Sequence, residues 1–116
     1  MRIDAHHHFW RYTSAEYDWI DDAMASIRRD FLPPDLAPEI AAANIDAVIS
    51  VQARQTLYET GFLLEHAAAH PWIAGVVGWV PLIDPAVGDT LDRLTGHPAL
   101  KGIRHVLQAE PDDYMD

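Results

Sequence analysis

The sequence predicts an α/β unit of order β-α-β-α-β-α-β, with four parallel strands. Three observations carry this. Short apolar runs alternate with amphipathic stretches of helical period. The strands are apolar on both faces, as a parallel sheet covered by helices requires. The connections are long enough for right-handed crossovers. From pattern alone the unit is either a small doubly wound sheet or the first half of a (β/α)8 barrel. No Gly-x-Gly-x-x-Gly follows a strand, so dinucleotide binding has no support.

The first strand spans Met1 to Trp10 and contains Asp4-x-His6-x-His8. Strict alternation puts residues 4, 6 and 8 on one face and Ile3, Ala5, His7 and Phe9 on the other. Two imidazoles at a strand end suit chelation of one divalent metal or polarisation of one substrate oxygen. Asp4, a layer deeper, is placed to orient an imidazole. The flanks Asp4-Ala5 and Phe9-Trp10 are strand-like and fit no purification tag.

Residues 11–32 lack a clean period and read as a long loop with a short helical turn, of the length that forms lids or binding loops. Pro33-Pro34-Asp35 opens a helix that ends near Asn44. Ile45 to Ala53 is the second strand. A helix from Thr56 to His70 buries a stripe including Leu57, Leu63 and Leu64, and Pro71 ends it. Trp72 to Val80 is the third strand. Asp84 as N-cap with Pro85 at the first helical position predicts a third helix to about Thr95, closed by Gly96. Lys101 to Gln108 is the fourth strand, and residues 109–116 form an acidic tail. The 116 residues are enough for one domain with a core.

Composition narrows the function. A net charge of −10 with no basic stripe argues against nucleic acid. With no cysteine there is neither a disulfide framework nor a thiolate metal site, which is compatible with the cytoplasm. The longest apolar stretch, Ile73 to Ile83, is too short for a bilayer and contains Gly75, Gly78 and Pro81, so a membrane partner is not expected.

Ligands of α/β folds bind at the carboxyl ends of strands. Those ends carry His6 and His8, Gln52, Trp79, and Arg104, His105 and Gln108. Arg104 offers a planar fork for carboxylate or sugar oxygens. Gln108 shares its parity, while His105 faces the helices unless the strand has already ended. Gln52 suits polyol recognition. Ser14, Ser26 and Ser50 lack a nucleophile-elbow context, so acyl-enzyme chemistry is unsupported.

Ile3-Asp4-Ala5-His6-His7-His8-Phe9-Trp10, Arg29-Asp30-Phe31-Leu32-Pro33, Val51-Gln52-Ala53, Glu59-Thr60, Gly75 to Val80 and Lys101 to Gln108 together resemble the amidohydrolase-2 branch of the amidohydrolase superfamily. The similarity is greatest to its sugar-acid lactonases. The resemblance implies a TIM-type barrel of roughly 250 residues, of which this chain holds a truncated half, the first four strands. It implies hydrolysis of a small sugar-acid lactone by activated water. His6 and His8 match the family's first-strand His-x-His, which binds a divalent metal in some members and substrate in others; zinc heads the candidates. Arg104 matches a fourth-strand residue that holds substrate oxygens, and the family's general base matches nothing here. Two alternatives stand beside this: a metal-dependent decarboxylase or hydratase acting on a carboxylate, and a catalytically incompetent half-barrel that self-associates.

Overall fold

The computed structural model describes residues 1–108 and 110–116. Four strands, β1 (Ile3–His7), β2 (Ala47–Val51), β3 (Ile73–Gly78) and β4 (Leu100–Ile103), form one parallel sheet in the order β1-β2-β3-β4. Helices α1 (Pro33–Ala42), α2 (Leu57–Ala69) and α3 (Val87–Leu94) are the crossovers. Sequential strand order with a helix in every crossover is the β/α arrangement of a barrel, and the four units are the first half of a (β/α)8 barrel.

The local reasons are readable. Pro33 and Pro34 occupy the first helical positions of α1, where missing amides cost nothing, and Asp35 reaches back to the Leu32 amide at 2.9 Å. Asn44 ends this helix with φ 55°, the left-handed conformation that asparagine tolerates. Thr56 caps α2 by accepting from the Glu59 amide at 3.1 Å.

The core lies between the sheet and its helices. Phe9, Ile40, Val48, Leu63, Leu64, Ile73 and Val76 are buried together there. Leu57, expected in this stripe, is the first residue of α2 and is 42% exposed. Gly78 marks a close approach: a Cβ would stand 2.7 Å from Thr60 Cγ2. That contact lets the Thr60 hydroxyl donate to Trp79 O and accept from Trp79 N, fixing the end of β3 to α2.

Two boundaries differ from the sequence reading. Asp84 is not the N-cap of α3; its carboxylate accepts from the Ala86 amide at 2.8 Å in a turn, and the helix begins only at Val87. β4 ends at Ile103, not Gln108, since the backbone turns away once Arg104 N has bonded Gly78 O. The acidic tail begins at Ala109, outside the described residues; 110–116 is a run of turns in which Tyr114 stacks on His105 at 4.8 Å.

The 11–32 stretch is a closed loop with its own small core. An antiparallel bridge between Trp10 and Phe31 joins its ends. Trp10 Nε1 donates to Arg29 O, and the Tyr12 amide donates to Asp30. Trp10, Tyr17 and Ile20 are buried inside, and a 3-10 helix covers Asp22–Ile27.

Candidate functional site

Beyond the carboxyl ends of the strands lies an open concavity of about 500 Å³. His8 and Arg104 line it, with Arg54, Gln55 and Thr56 after β2, Trp10, Glu16 and Trp19 from the closed loop, and Val106 after β4.

β1 does not alternate strictly. Asp4 pairs with Val48 and His7 with Ser50, so three steps of β1 run against two of β2. This bulge brings Asp4 into line with His7, contrary to the alternation that grouped it with His6 and His8. Its carboxylate accepts from the His6 amide at 3.1 Å and orients no imidazole among the described residues. Past the bulge, His7 turns to the helix side, bonding Ser50 Oγ at 2.9 Å and packing edge-on against Phe9. His6 and His8 meet on the other side, ring centroids 5.0 Å apart and nearly perpendicular.

His8 is held in one tautomer. Its Nδ1 lies 2.9 Å from Val51 O, a pure acceptor, so Nδ1 carries the proton and Nε2 keeps its lone pair. Burial holds its pKa below the ordinary imidazole value, which keeps the ring neutral. A carbonyl-oriented imidazole with a free Nε2 is the form that ligates a metal. His6 and His8 thus fit as two ligands. No cluster of three or more His, Cys, Asp or Glu occurs among the described residues, so a complete site needs groups from elsewhere.

Arg104 is held from below by Gln52. One guanidinium nitrogen donates to Gln52 O at 2.7 Å and to its Oε1 at 3.1 Å, while Gln52 Nε2 donates to Arg104 O. Gln52 is fully buried, so its polar groups serve Arg104 and do not reach a polyol. Among the described residues no carboxylate lies within ion-pair distance of Arg104, and its buried Nε has no partner. An uncompensated cation at a pocket wall favours an anionic or oxygen-rich ligand.

Trp79 and His105 bind each other rather than the pocket. Trp79 Nε1 donates to His105 Nδ1 at 3.0 Å, and His105 Nε2 donates to Glu110 at 2.8 Å. Because β4 has ended, His105 does not face the helices; it lines a separate apolar hollow with Leu82, Ile83 and Tyr114. Gln108 is exposed and touches neither hollow.

Glu59, quoted above only among the residues that carry the resemblance, is an acidic anchor behind the pocket whose role sequence reasoning missed. Glu59, fully buried, accepts from the Ala53 and Arg54 amides at 2.6 and 2.5 Å and from Arg54 Nε. Arg54 also pairs with Glu16 of the closed loop, 38 residues away. Gln55 accepts from the Val106 amide at 2.6 Å and donates to Glu110, tying the β2 end to the β4 end. Arg54 stands one residue beyond the second strand as read from sequence, which was the available signal.

His7 gives a pH prediction. Burial lowers its pKa from 6.5 to about 4, so the folded metal-free protein resists a proton that the unfolded chain accepts. The stability this represents is fully present above pH 6.5 and is lost as pH falls from there toward 4, about 3 kcal/mol in all. His8 and His66, also lowered by burial, act in the same direction. Denaturant titrations of the full-length protein between pH 7 and 4 should show this loss, and His7→Gln should flatten part of it. An unchanged slope in His7→Gln would exclude His7 as its source.

Comparison with known proteins bears on the family and the fold. The family described as Amidohydrolase (Amidohydro_2) matches residues 3–116. An L-fucono-1,5-lactonase of Burkholderia multivorans is 46% identical over 97% of this chain, and one of Burkholderia ambifaria 38% identical over all of it. A crystal structure of an amidohydrolase from Burkholderia multivorans with bound zinc superimposes on 97% of the chain with TM-score 0.91 and 46% identity. The chain spans 38–40% of the length of these relatives. Among the described residues no helix is long and apolar enough to cross a membrane. A family match that runs through nearly every residue leaves one assignment: the chain belongs to the amidohydrolase family.

Proposed function

We propose that this chain supplies the histidine-bearing part of a lactonase site that opens a small sugar-acid lactone with water. The observation that carries the reading is the pairing of a neutral, carbonyl-oriented His8 with an uncompensated Arg104 on one concavity. The two lactonase relatives support the substrate class.

In such a reaction water adds to the ring carbonyl, the ring C–O bond breaks, and the departing oxygen takes up a proton to give the hydroxy acid. Arg104 holds substrate oxygens through its fork, fixed in direction by Gln52. His8, neutral with its proton on Nδ1, offers the Nε2 lone pair to the concavity as a ligand. His6 and His8 would hold a divalent ion, zinc in the first instance, which supplies Lewis-acid polarisation of the carbonyl when bound. The base that takes the water's proton belongs to parts of the fold beyond these four strands. A cytoplasmic setting and a role in carbohydrate metabolism belong to the same proposal.

The test is substrate profiling of the full-length protein. Turnover of aldono-1,5-lactones with no turnover of aromatic carboxylates is expected; the opposite pattern would favour a decarboxylase or hydratase.

The 116-residue polypeptide on its own should self-associate. Among the described residues β1 pairs only with β2 and β4 only with β3, leaving two open edges. Ile3, Leu82, Ile83 and Leu107 are also exposed. Sedimentation should find a dimer or larger species without lactonase activity. A compact monomer that hydrolyses lactone would contradict this.

A further inference from the structure

We propose that Trp19 is a specificity-determining residue, an aromatic wall on which the carbon face of a sugar-acid ring stacks. The inference rests on the lactonase reading and names the part of the substrate that this wall would recognise.

Trp19 is unlike its neighbours. Trp10, Tyr17 and Ile20 are buried in the loop's small core, yet Trp19 is 49% exposed and lines the same concavity as His8 and Arg104. Its indole stands perpendicular to Trp10, centroids 6.0 Å apart, and Trp10 stacks nearly parallel to His8 at 6.3 Å. Trp19 is therefore one ring removed from the His8 imidazole. Trp10 cannot swing, because its Nε1 is committed to Arg29 O.

The loop bearing Trp19 is tied to the pocket floor. Glu16 pairs with Arg54, and Arg54 with the buried Glu59. The Arg54 guanidinium also lies over the Tyr17 ring at 5.6 Å. These contacts fix the segment before Trp19, and Arg28, which donates to Ile20 O at 3.0 and 3.2 Å, fixes it after. A pyranose-type ring has one face rich in C–H and edges rich in oxygen. An exposed indole on the same concavity as a guanidinium without a carboxylate partner suits that distribution, the face meeting Trp19 and the oxygens meeting Arg104.

Kinetics of the full-length protein with an aldono-1,5-lactone test this. Trp19→Ala should raise KM about five- to fiftyfold, the range for losing one ring-stacking contact, with kcat changed less than about twofold. Trp19→Phe should recover most of the affinity. Glu16→Gln, which frees the segment without removing the ring, should raise KM more modestly. An unchanged KM in Trp19→Ala would overturn the proposal, as would a loss of thermal stability with KM unaltered. Titration with the corresponding aldonic acid gives a second readout: quenching of tryptophan fluorescence that disappears in Trp19→Phe. Equal quenching in both proteins, or none in either, counts against it. Should the wild-type protein turn over no lactone, the lactonase reading fails by itself, and the quenching experiment still decides Trp19.

Discussion

His8→Ala in the full-length protein should lower lactone turnover by roughly a hundredfold or more, the range for removing a positioned imidazole from a reaction centre. His7→Ala, one residue away, should leave kcat within a fewfold. The contrast follows from the bulge in β1. It sends His7 to Ser50 and the helix-side core, while His8 turns its free Nε2 to the concavity. Metal binding should divide the same way. Calorimetric titration with zinc should show weak affinity for the 116-residue polypeptide, because two imidazoles are half of a four-ligand site. That affinity should rise with pH, since protons leave the ligands. It should largely vanish in His6→Ala and in His8→Ala and persist in His7→Ala. Equal loss of turnover from His7→Ala and His8→Ala would end the assignment of opposite faces.

The element order was legible because each element carries a local signal strong enough to survive tertiary context. Pro33-Pro34 and Asn44 bracket α1, Thr56 and Pro71 bracket α2, and β2 and β3 are aliphatic throughout. What failed were arguments that extend a local rule too far. Alternation placed Asp4 with His6 and His8, but a one-residue bulge resets parity, and bulges leave no reliable mark in sequence. Asp84-Pro85 has the chemistry of a helix start, yet the same side-chain-to-backbone bond also closes a turn, and here it does. At the site, His8 and Arg104 could be read from strand ends. Gln52, Trp79 and His105 also lie at strand ends, but they pair with protein groups rather than the concavity, a fact set by contacts 26 or 52 residues apart. The Glu16–Arg54–Glu59 chain joins three elements, and no spacing rule connects them.

That chain should make Glu59→Ala the most destabilising single change of those considered, by about 3–5 kcal/mol, the range for breaking a buried ionic network. Glu59 is completely buried, so nothing replaces its carboxylate when it is removed. One oxygen accepts from two consecutive amides, Ala53 and Arg54, where the chain leaves β2 and turns into α2. Without it those amides are left without an acceptor, each costing about 1–3 kcal/mol. Arg54 loses a partner as well, though Glu16 still holds its other side. Glu59→Gln keeps an oxygen for the two amides but turns an NH2 toward Arg54 Nε, so its cost should be roughly half as large. Glu65→Gln, on the exposed side of the same helix, should change stability by less than about 0.5 kcal/mol. Denaturant midpoints of the full-length protein at unchanged m-value measure all three. A Glu59→Ala midpoint close to that of Glu65→Gln would mean that the turn after β2 is held by something other than this carboxylate. The catalytic consequence has a direction too. Because Arg54 anchors Glu16 and Trp19 follows Glu16 closely, the folded fraction of Glu59→Ala should bind lactone more weakly than Glu59→Gln does.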